Sequence, residues 1–154
     1  MKEMILEAVI QTLEKELDRQ VRANAQSNAA SAFSAANAEK QRDTTGVEAA
    51  YLARGYAHHV QELRRHIDEL KAMPIEDFAG QEIDVGAVVE VDFEGELDTY
   101  MLLNSGGGTE VKVDGQTVTV ITPESPLGSK LMNNFEAGFI ELPSGLEGII
   151  LSVY

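Results

Sequence analysis

The chain has no cysteine, no tryptophan and only four prolines in 154 residues. Without cysteine there can be no disulfide framework and no thiolate metal site. No apolar run approaches the roughly 20 residues needed to cross a bilayer. The opening residues, Met1-Lys2-Glu3-Met4-Ile5-Leu6-Glu7, place charges among the apolar side chains and so make a poor secretory signal. The expectation is a cytoplasmic, soluble, monomeric protein with no contact with a membrane, of a length for one ordinary domain or two small ones.

Positive charge is also scarce, and unevenly so. Residues 1–73 hold ten Lys/Arg against eleven Asp/Glu, a net of −1. Residues 74–154 hold only Lys112 and Lys130 against fifteen Asp/Glu, a net of −13, and together the halves give the chain's −14. A surface this acidic repels phosphate backbones, which argues against autonomous nucleic-acid binding through the second half. It suits docking on a basic protein surface, or simply keeps the protein in solution.

What is present begins with helical periodicity. Leu6, Ile10, Leu13, Leu17 and Val21 are spaced 4, 3, 4 and 4, and Leu52, Tyr56, Val60, Leu63, Ile67 and Leu70 are spaced 4, 4, 3, 4 and 3. Each set lines one face of a helix and fits a coiled-coil seam. The first helix is expected over about residues 4–42, roughly 58 Å long, and the second ends at Met73-Pro74, where proline disfavours helix in the residue before it. A turn over residues 43–46 would fold them into an antiparallel hairpin. Leu17 would then face Leu70, Val21 face Ile67, Ala25 face Leu63, Ala32 meet Tyr56 and Ala36 meet Leu52. Small residues on one helix against large ones on the other would give a thin arm. The competing expectation for the alanine-, serine- and asparagine-rich stretch is a frayed segment, because its propensity is poor.

After Pro74–Gly80, read as a hinge, strand formers take over. Residues 87–93 and 99–103 read as strands, and residues 111–113 and 116–120 as a hairpin around Asp114-Gly115. Residues 139–142 and 148–153 read as a closing pair. A short helix between the hairpin and this closing pair is expected to be capped by Ser125 with Pro126 at its first position and to stop at Asn133-Asn134. Gly106-Gly107-Gly108 lacks the lysine and helix start of a phosphate loop and reads as a flexible connection. The fold class is therefore α+β, with a helical hairpin at 1–73 and a small sheet domain with one short helix at 74–154.

Chemistry-bearing residues are sparse. His58, Glu62 and His66 share a helical face, but nothing else completes a metal site, and an exposed charged face is the plainer account. No nucleophile elbow supports a Ser/His/Asp set, so the chain is not expected to be an enzyme in its own right. At the tip of the hairpin Asp43 could cap turn amides or present a free carboxylate. Glu48, in Thr45-Gly46-Val47-Glu48, fits a capping box and could contribute a second carboxylate. Lys40, Arg42 and Arg54 surround the same tip with positive charge.

Val85-Gly86-Ala87-Val88-Val89 and Thr122-Pro123-Glu124-Ser125-Pro126-Leu127-Gly128-Ser129-Lys130-Leu131, following the helical hairpin, resemble in order and type the bacterial GreA/GreB family of transcript-cleavage factors. The likeness extends over nearly the whole chain and is most specific from Ile83 to Tyr154. It implies a coiled coil that enters the secondary channel of bacterial RNA polymerase, and an FKBP-like sheet domain that docks on the channel rim. Glu124, Ser125 and Pro126 become the implied polymerase-binding residues. Asp43, with Glu48, becomes the implied carboxylate that helps hold the polymerase's second Mg²⁺ at the nascent RNA 3′ end. The chain would have no cofactor of its own and would bind no metal stably alone, and any association with DNA would be indirect, through the polymerase. The departure lies at the tip. The family shows an acidic residue, two others, a second acidic residue and then Asn-Ala-Glu-Tyr. Here Asp43 matches the first, Gly46 stands at the second, and Glu48 follows two residues later ahead of Ala49-Ala50-Tyr51. A second departure is Asn133, where the family tends to place glycine. The alternatives are a secondary-channel regulator that does not stimulate cleavage and, from another class, an FKBP-like binding or folding module.

Overall fold

The computed structural model describes residues 1–41 and 45–154, with side chains described throughout except at residues 24, 26–53 and 56. Two helices come first, α1 (Lys2–Gln41) and α2 (Thr45–Ala72). They are followed by β1 (Val88–Phe93), β2 (Glu96–Leu102), β3 (Glu110–Val113), β4 (Gln116–Ile121), the short helix α3 (Pro126–Leu131), β5 (Phe139–Glu141) and β6 (Glu147–Val153). The chain is α+β. By contact it forms two compact units, Leu13–Lys71 and a second made of Met1–Thr12 with Ala72–Tyr154. The later break lies close to the expected boundary after residue 73, whereas the first three turns of α1 group with the sheet.

In the helical unit Leu13, Val60, Ile67 and Leu70 are buried, and Lys71 pairs with Glu14 across the two helices. That ion pair joins the start of one helix segment to the end of the other, so here the helices run antiparallel. The expected seam on α1 needs correction beyond Leu17, because Val21 is 36% exposed and Ala25 is exposed. The reason is angular: two successive four-residue steps from Leu13 advance the face by roughly 80° at 100° per residue, which swings Val21 away. Gln20 is half-buried in its place, with its amide nitrogen on Glu16. The expected turn is also corrected at one end, because Thr45 and Gly46 belong to α2. Asp43 and the side chains of Ala32, Ala36, Leu52 and Tyr56 lie outside the described residues, as does any cap made by Glu48.

The sheet unit is built from three local hairpins, β1–β2, β3–β4 and β5–β6, in the order β3-β4-β2-β1-β6-β5. Two of their turns are the tight kind that suits strand twist: Glu94-Gly95 and Asp114-Gly115 all have positive φ, at 54°, 97°, 51° and 79°. The hairpins join through an antiparallel β1–β6 pair and a parallel β2–β4 pair. Parallel pairing is possible because β3 supplies the crossover between β2 and β4.

Both faces of the sheet are apolar at its centre. On one, Val89, Val91, Phe93, Leu102, Ile121, Ile150 and Val153 pack with Phe78, Ile83, Leu131 and Ile140. On the other, Val88, Met101, Val111, Val113, Val118 and Val120 are buried, and the buried α1 residues of the same unit are Ile5, Leu6 and Val9. Lys2 is also buried; its ammonium lies 4.9 Å from the Phe78 ring centroid and donates to the Glu76 carbonyl. Burial lowers its pKa against the opposing pull of Asp77 and Glu76. Residues 74–80, expected to be a hinge, are thus tied down: Phe78 enters the core and Asp77 accepts from the Ala79 amide at 2.9 Å. The triple-glycine loop likewise carries backbone hydrogen bonds. The Gly108 amide donates to Val120 O at 2.8 Å and the Thr109 amide to Gly106 O at 3.0 Å.

Tyr100, half-buried on β2, has its pKa pushed up to about 12 by burial and by the nearby Asp98 carboxylate, which accepts its hydroxyl at 3.3 Å. An unfolded tyrosine ionises near 10. The contribution of Tyr100 to stability is therefore complete below pH 10 and is lost as pH rises from about 10 toward about 12. An ultraviolet titration of the folded protein should show tyrosine ionisation near pH 12, and Tyr100→Phe should reduce it by one tyrosine equivalent.

Candidate functional site

Thr122 leaves the sheet at the end of β4, and the chain must turn at once to lay α3 over the core. The turn is self-contained. The Ser125 hydroxyl donates to Thr122 O at 2.7 Å and accepts the Gly128 amide at 3.0 Å, and the Ser125 amide reaches Thr122 O at 3.1 Å. Ser125 is extended (φ −68°, ψ 155°) and Pro126 opens the helix, where a missing N–H costs nothing. This is the N-cap expected from the sequence.

Gly128 is needed for a different reason. A Cβ there would overlap the Thr122 carbonyl oxygen and crowd the Ser125 hydroxyl. Leu131 is fully buried, and Asn133 takes the left-handed conformation (φ 63°) that ends the helix. The far end is then fastened to the chain before β1 by two reciprocal backbone bonds. Asn133 N–H donates to Ile83 O at 3.0 Å, and Ile83 N–H donates to Asn134 O at 2.8 Å. The turn is therefore held at both ends.

Within it the three expected residues play unequal parts. Glu124 and Pro126 are exposed, whereas Ser125 is half-buried with its hydroxyl committed as donor and acceptor inside the turn. The surface available to a partner is thus a carboxylate and a proline ring held a fixed distance apart by a serine that faces inward.

At the other expected site, Asp43 and Arg42 lie outside the described residues, as do the side chains of Lys40 and Glu48. Arg54 is exposed on α2. Farther along α2, Glu62 accepts from Arg65 at 2.9 Å and sits 3.9 Å from His66. The hydrogen bond from Arg65 is the main cause holding the Glu62 pKa below its usual value. Its carboxylate is thus engaged in an exposed ion-pair ladder that Arg65 extends to Glu69. Among the described residues no three His, Cys, Asp or Glu side chains come close enough to hold a metal ion, and no helix is long and apolar enough to cross a membrane.

One cavity was not foreseen. About 430 Å³ in volume, it is lined by Glu90, Asp98, Thr99, Glu110, Gln116 and Thr119, among others. The Gln116 amide nitrogen donates to Thr99 Oγ1 at 2.6 Å and reaches Glu90 at 3.4 Å. Its walls come from four strands, so only the strand order, which spacing does not reveal, brings them together. Glu90, placed between Val89 and Val91, was the single visible sign, as an acidic residue in an otherwise apolar strand centre.

No protein-family model matches the chain, and no curated protein matches it by sequence. Solved structures do. The structural neighbours are GreA-type transcription factors. The crystal structure of GreA factor homolog 1 from Thermus thermophilus is 19% identical, covers 96% of this chain and 95% of its own, and has a TM-score of 0.38. The homolog from Thermus aquaticus is 18% identical over 96% and 95% of the two chains, with a TM-score of 0.40. The GreA/GreB elongation factor of Nitrosomonas europaea is 18% identical over 61% and 78%, with a TM-score of 0.34.

The turn before α3 should respond to single atoms. Ser125→Ala removes the cap and should cost about 1 kcal/mol, and Gly128→Ala should cost roughly 1–3 kcal/mol through overpacking. Urea unfolding followed by circular dichroism measures both. A neutral Gly128→Ala would contradict the close approach to Thr122.

Proposed function

We propose that the protein binds bacterial RNA polymerase at its secondary channel and modulates transcript elongation in the cytoplasm, acting through its partner's active centre. The observation that carries this reading is the turn at Thr122–Gly128. The motif that resembles the GreA/GreB family there is built as a fixed platform on a strongly acidic unit, with Glu124 and Pro126 turned outward. The helices support it: α1 has 40 residues and α2 has 28, more than a sheet of this size needs for cover. In this reading they form the coiled coil, and the sheet unit is the FKBP-like dock.

Asp43 is then the residue delivered to the polymerase. A carboxylate is the hard oxygen ligand that Mg²⁺ takes, and a second metal stabilises the attacking and leaving oxygens in hydrolysis of RNA. That ion belongs to the polymerase; what this chain contributes is one negative oxygen donor, with Glu48 mainly capping α2. The basic residues Lys40, Arg42 and Arg54 would meet RNA phosphates at the same tip.

A second reading has an observation of its own. Gly46 stands where the family carries its second tip carboxylate, and loss of that ligand favours a regulator that occupies the channel without stimulating cleavage. An FKBP-like binding module is less well supported, because Leu127, Leu131, Met132 and Phe78 fill the space between α3 and the sheet.

RNA cleavage in backtracked complexes, with and without the protein, separates the first two readings. Asp43→Asn should leave polymerase binding nearly unchanged and abolish most stimulated cleavage, while Glu48→Gln should cost much less. No cleavage with the wild type selects the non-cleaving regulator. Replacing Glu124, Ser125 and Pro126 together should abolish binding, and binding by the wild type should weaken as salt rises. Affinity that survives both the substitution and high salt would remove the platform from the interface.

A further inference from the structure

The sheet face opposite α3 is covered over only part of its width. Where Val88, Met101, Val111, Val113, Val118 and Val120 lie it is buried, but toward β5 it is bare. The register aligns one row across four strands: Leu97 opposite Asp92, Asp92 opposite Ile149, and Ile149 opposite Phe139. Leu97 is 67% exposed, Ile149 49% and Phe139 58%, and Leu151 on the same strand is 44% exposed. Scattered apolar residues on a surface need no explanation, but Ile149 and Phe139 are direct cross-strand neighbours with Leu151 on the same strand, and Leu97 lies in the same row beyond Asp92.

The charges beside this patch are also unusual. Glu141 and Glu147 are directly opposite each other on β5 and β6, next to Phe139 and Ile149 on the same face. Like charges in that position destabilise a sheet. Neither carboxylate has an ion-pair partner among the described residues, and Glu94 and Glu96 are exposed at the neighbouring turn. Lys112 and Lys130 are the only Lys or Arg in residues 74–154, so this part of the chain offers little with which to neutralise them.

We propose that the exposed face of β1, β2, β5 and β6 is a second docking surface, for a basic protein segment with an apolar centre. Leucine- or valine-like side chains of the partner would cover Leu97, Ile149, Phe139 and Leu151, while its lysines or arginines would lie between Glu141 and Glu147. The charge excludes the other occupants. A second copy would set these glutamates against their own kind, and nucleic acid or an anionic membrane would be repelled in the same way. This surface lies on the side of the sheet away from α3, so it is separate from the platform of Glu124 and Pro126.

The test uses the full chain and a labelled amphipathic helical peptide of leucine and lysine, read by fluorescence anisotropy. A lysine/serine peptide of equal charge and a leucine/glutamate peptide are the controls. The leucine/lysine peptide should bind at least tenfold more tightly than either. Phe139→Ser with Ile149→Ser should weaken it at least tenfold with an unchanged circular dichroism spectrum. Glu147→Lys, which would pair with Glu141, should raise the urea midpoint of the protein and still weaken the peptide about tenfold. Equal binding of the lysine/serine peptide would reduce the effect to net charge and overturn the proposal, as would full affinity in the double serine variant or in Glu147→Lys. Polymerase takes no part in these measurements, so their failure leaves the reading of the α3 platform untouched, and the converse holds as well.

Discussion

The sheet unit depends on burial on both sides at the start of β1, where Val88 and Val89 face opposite ways. Val88, Val89 and Val91 have no exposed surface, although neighbouring residues of a strand point to opposite faces. Two covers are therefore required. One is α3 with its flanking loops; for the other, the same unit offers the first three turns of α1, whose Ile5, Leu6 and Val9 are buried. The placement of Lys2 follows from the same demand. A lysine in the first turn of a helix that must lie against the unit finds a ring face and a carbonyl for its ammonium, and its methylenes add to the cover.

What was legible in the sequence is what local chemistry decides. Ser125 as a cap, Pro126 behind it, Asn133 as a stop and Asp114-Gly115 as a tight turn each depend on a few consecutive residues, and each is found in place. The strand segments were legible for the same reason. Their order was not, because nothing within β2 or β4 announces a parallel partner. Helix periodicity misled at Val21, where counting residues by fours outran the turn of the helix. It also passed over Ile5 and Val9, since a seam sought for a second helix does not anticipate a sheet. The acidic cavity and the bare row at Phe139 are products of register, and a strand of alternating Ile and Leu reads the same whether its far side is covered or open.

The charge distribution acquires a structural sense in this light. Residues 74–154 carry almost no cations, so their carboxylates are held by backbone turns, meet uncharged donors such as Gln116 and Tyr100, or face outward. Asp92 is of the first kind, accepting the Gly95 amide at 2.7 Å, and Glu124 and Glu141 are of the last. The helical unit follows the opposite rule, with Glu16, Glu62 and Glu69 all paired to arginines on their own helices. Exposed pairs of that kind contribute little to stability, but they leave those helix surfaces nearly neutral while the sheet unit stays strongly negative.

The order of strands also sets the sequence of events as the chain folds. Each of the three hairpins closes over a short loop and forms on the timescale of microseconds. The β1–β6 pair, by contrast, joins residues roughly sixty positions apart, and pairing over such a separation is slow because loop entropy is lost before contacts compensate for it. Until that closure β5 and β6 form an isolated two-stranded ribbon, which is marginal alone, and its open edge and the apolar side of β1 are exposed together. The interval before β6 reaches β1 is therefore when a newly made chain is most open to joining its neighbours instead of itself.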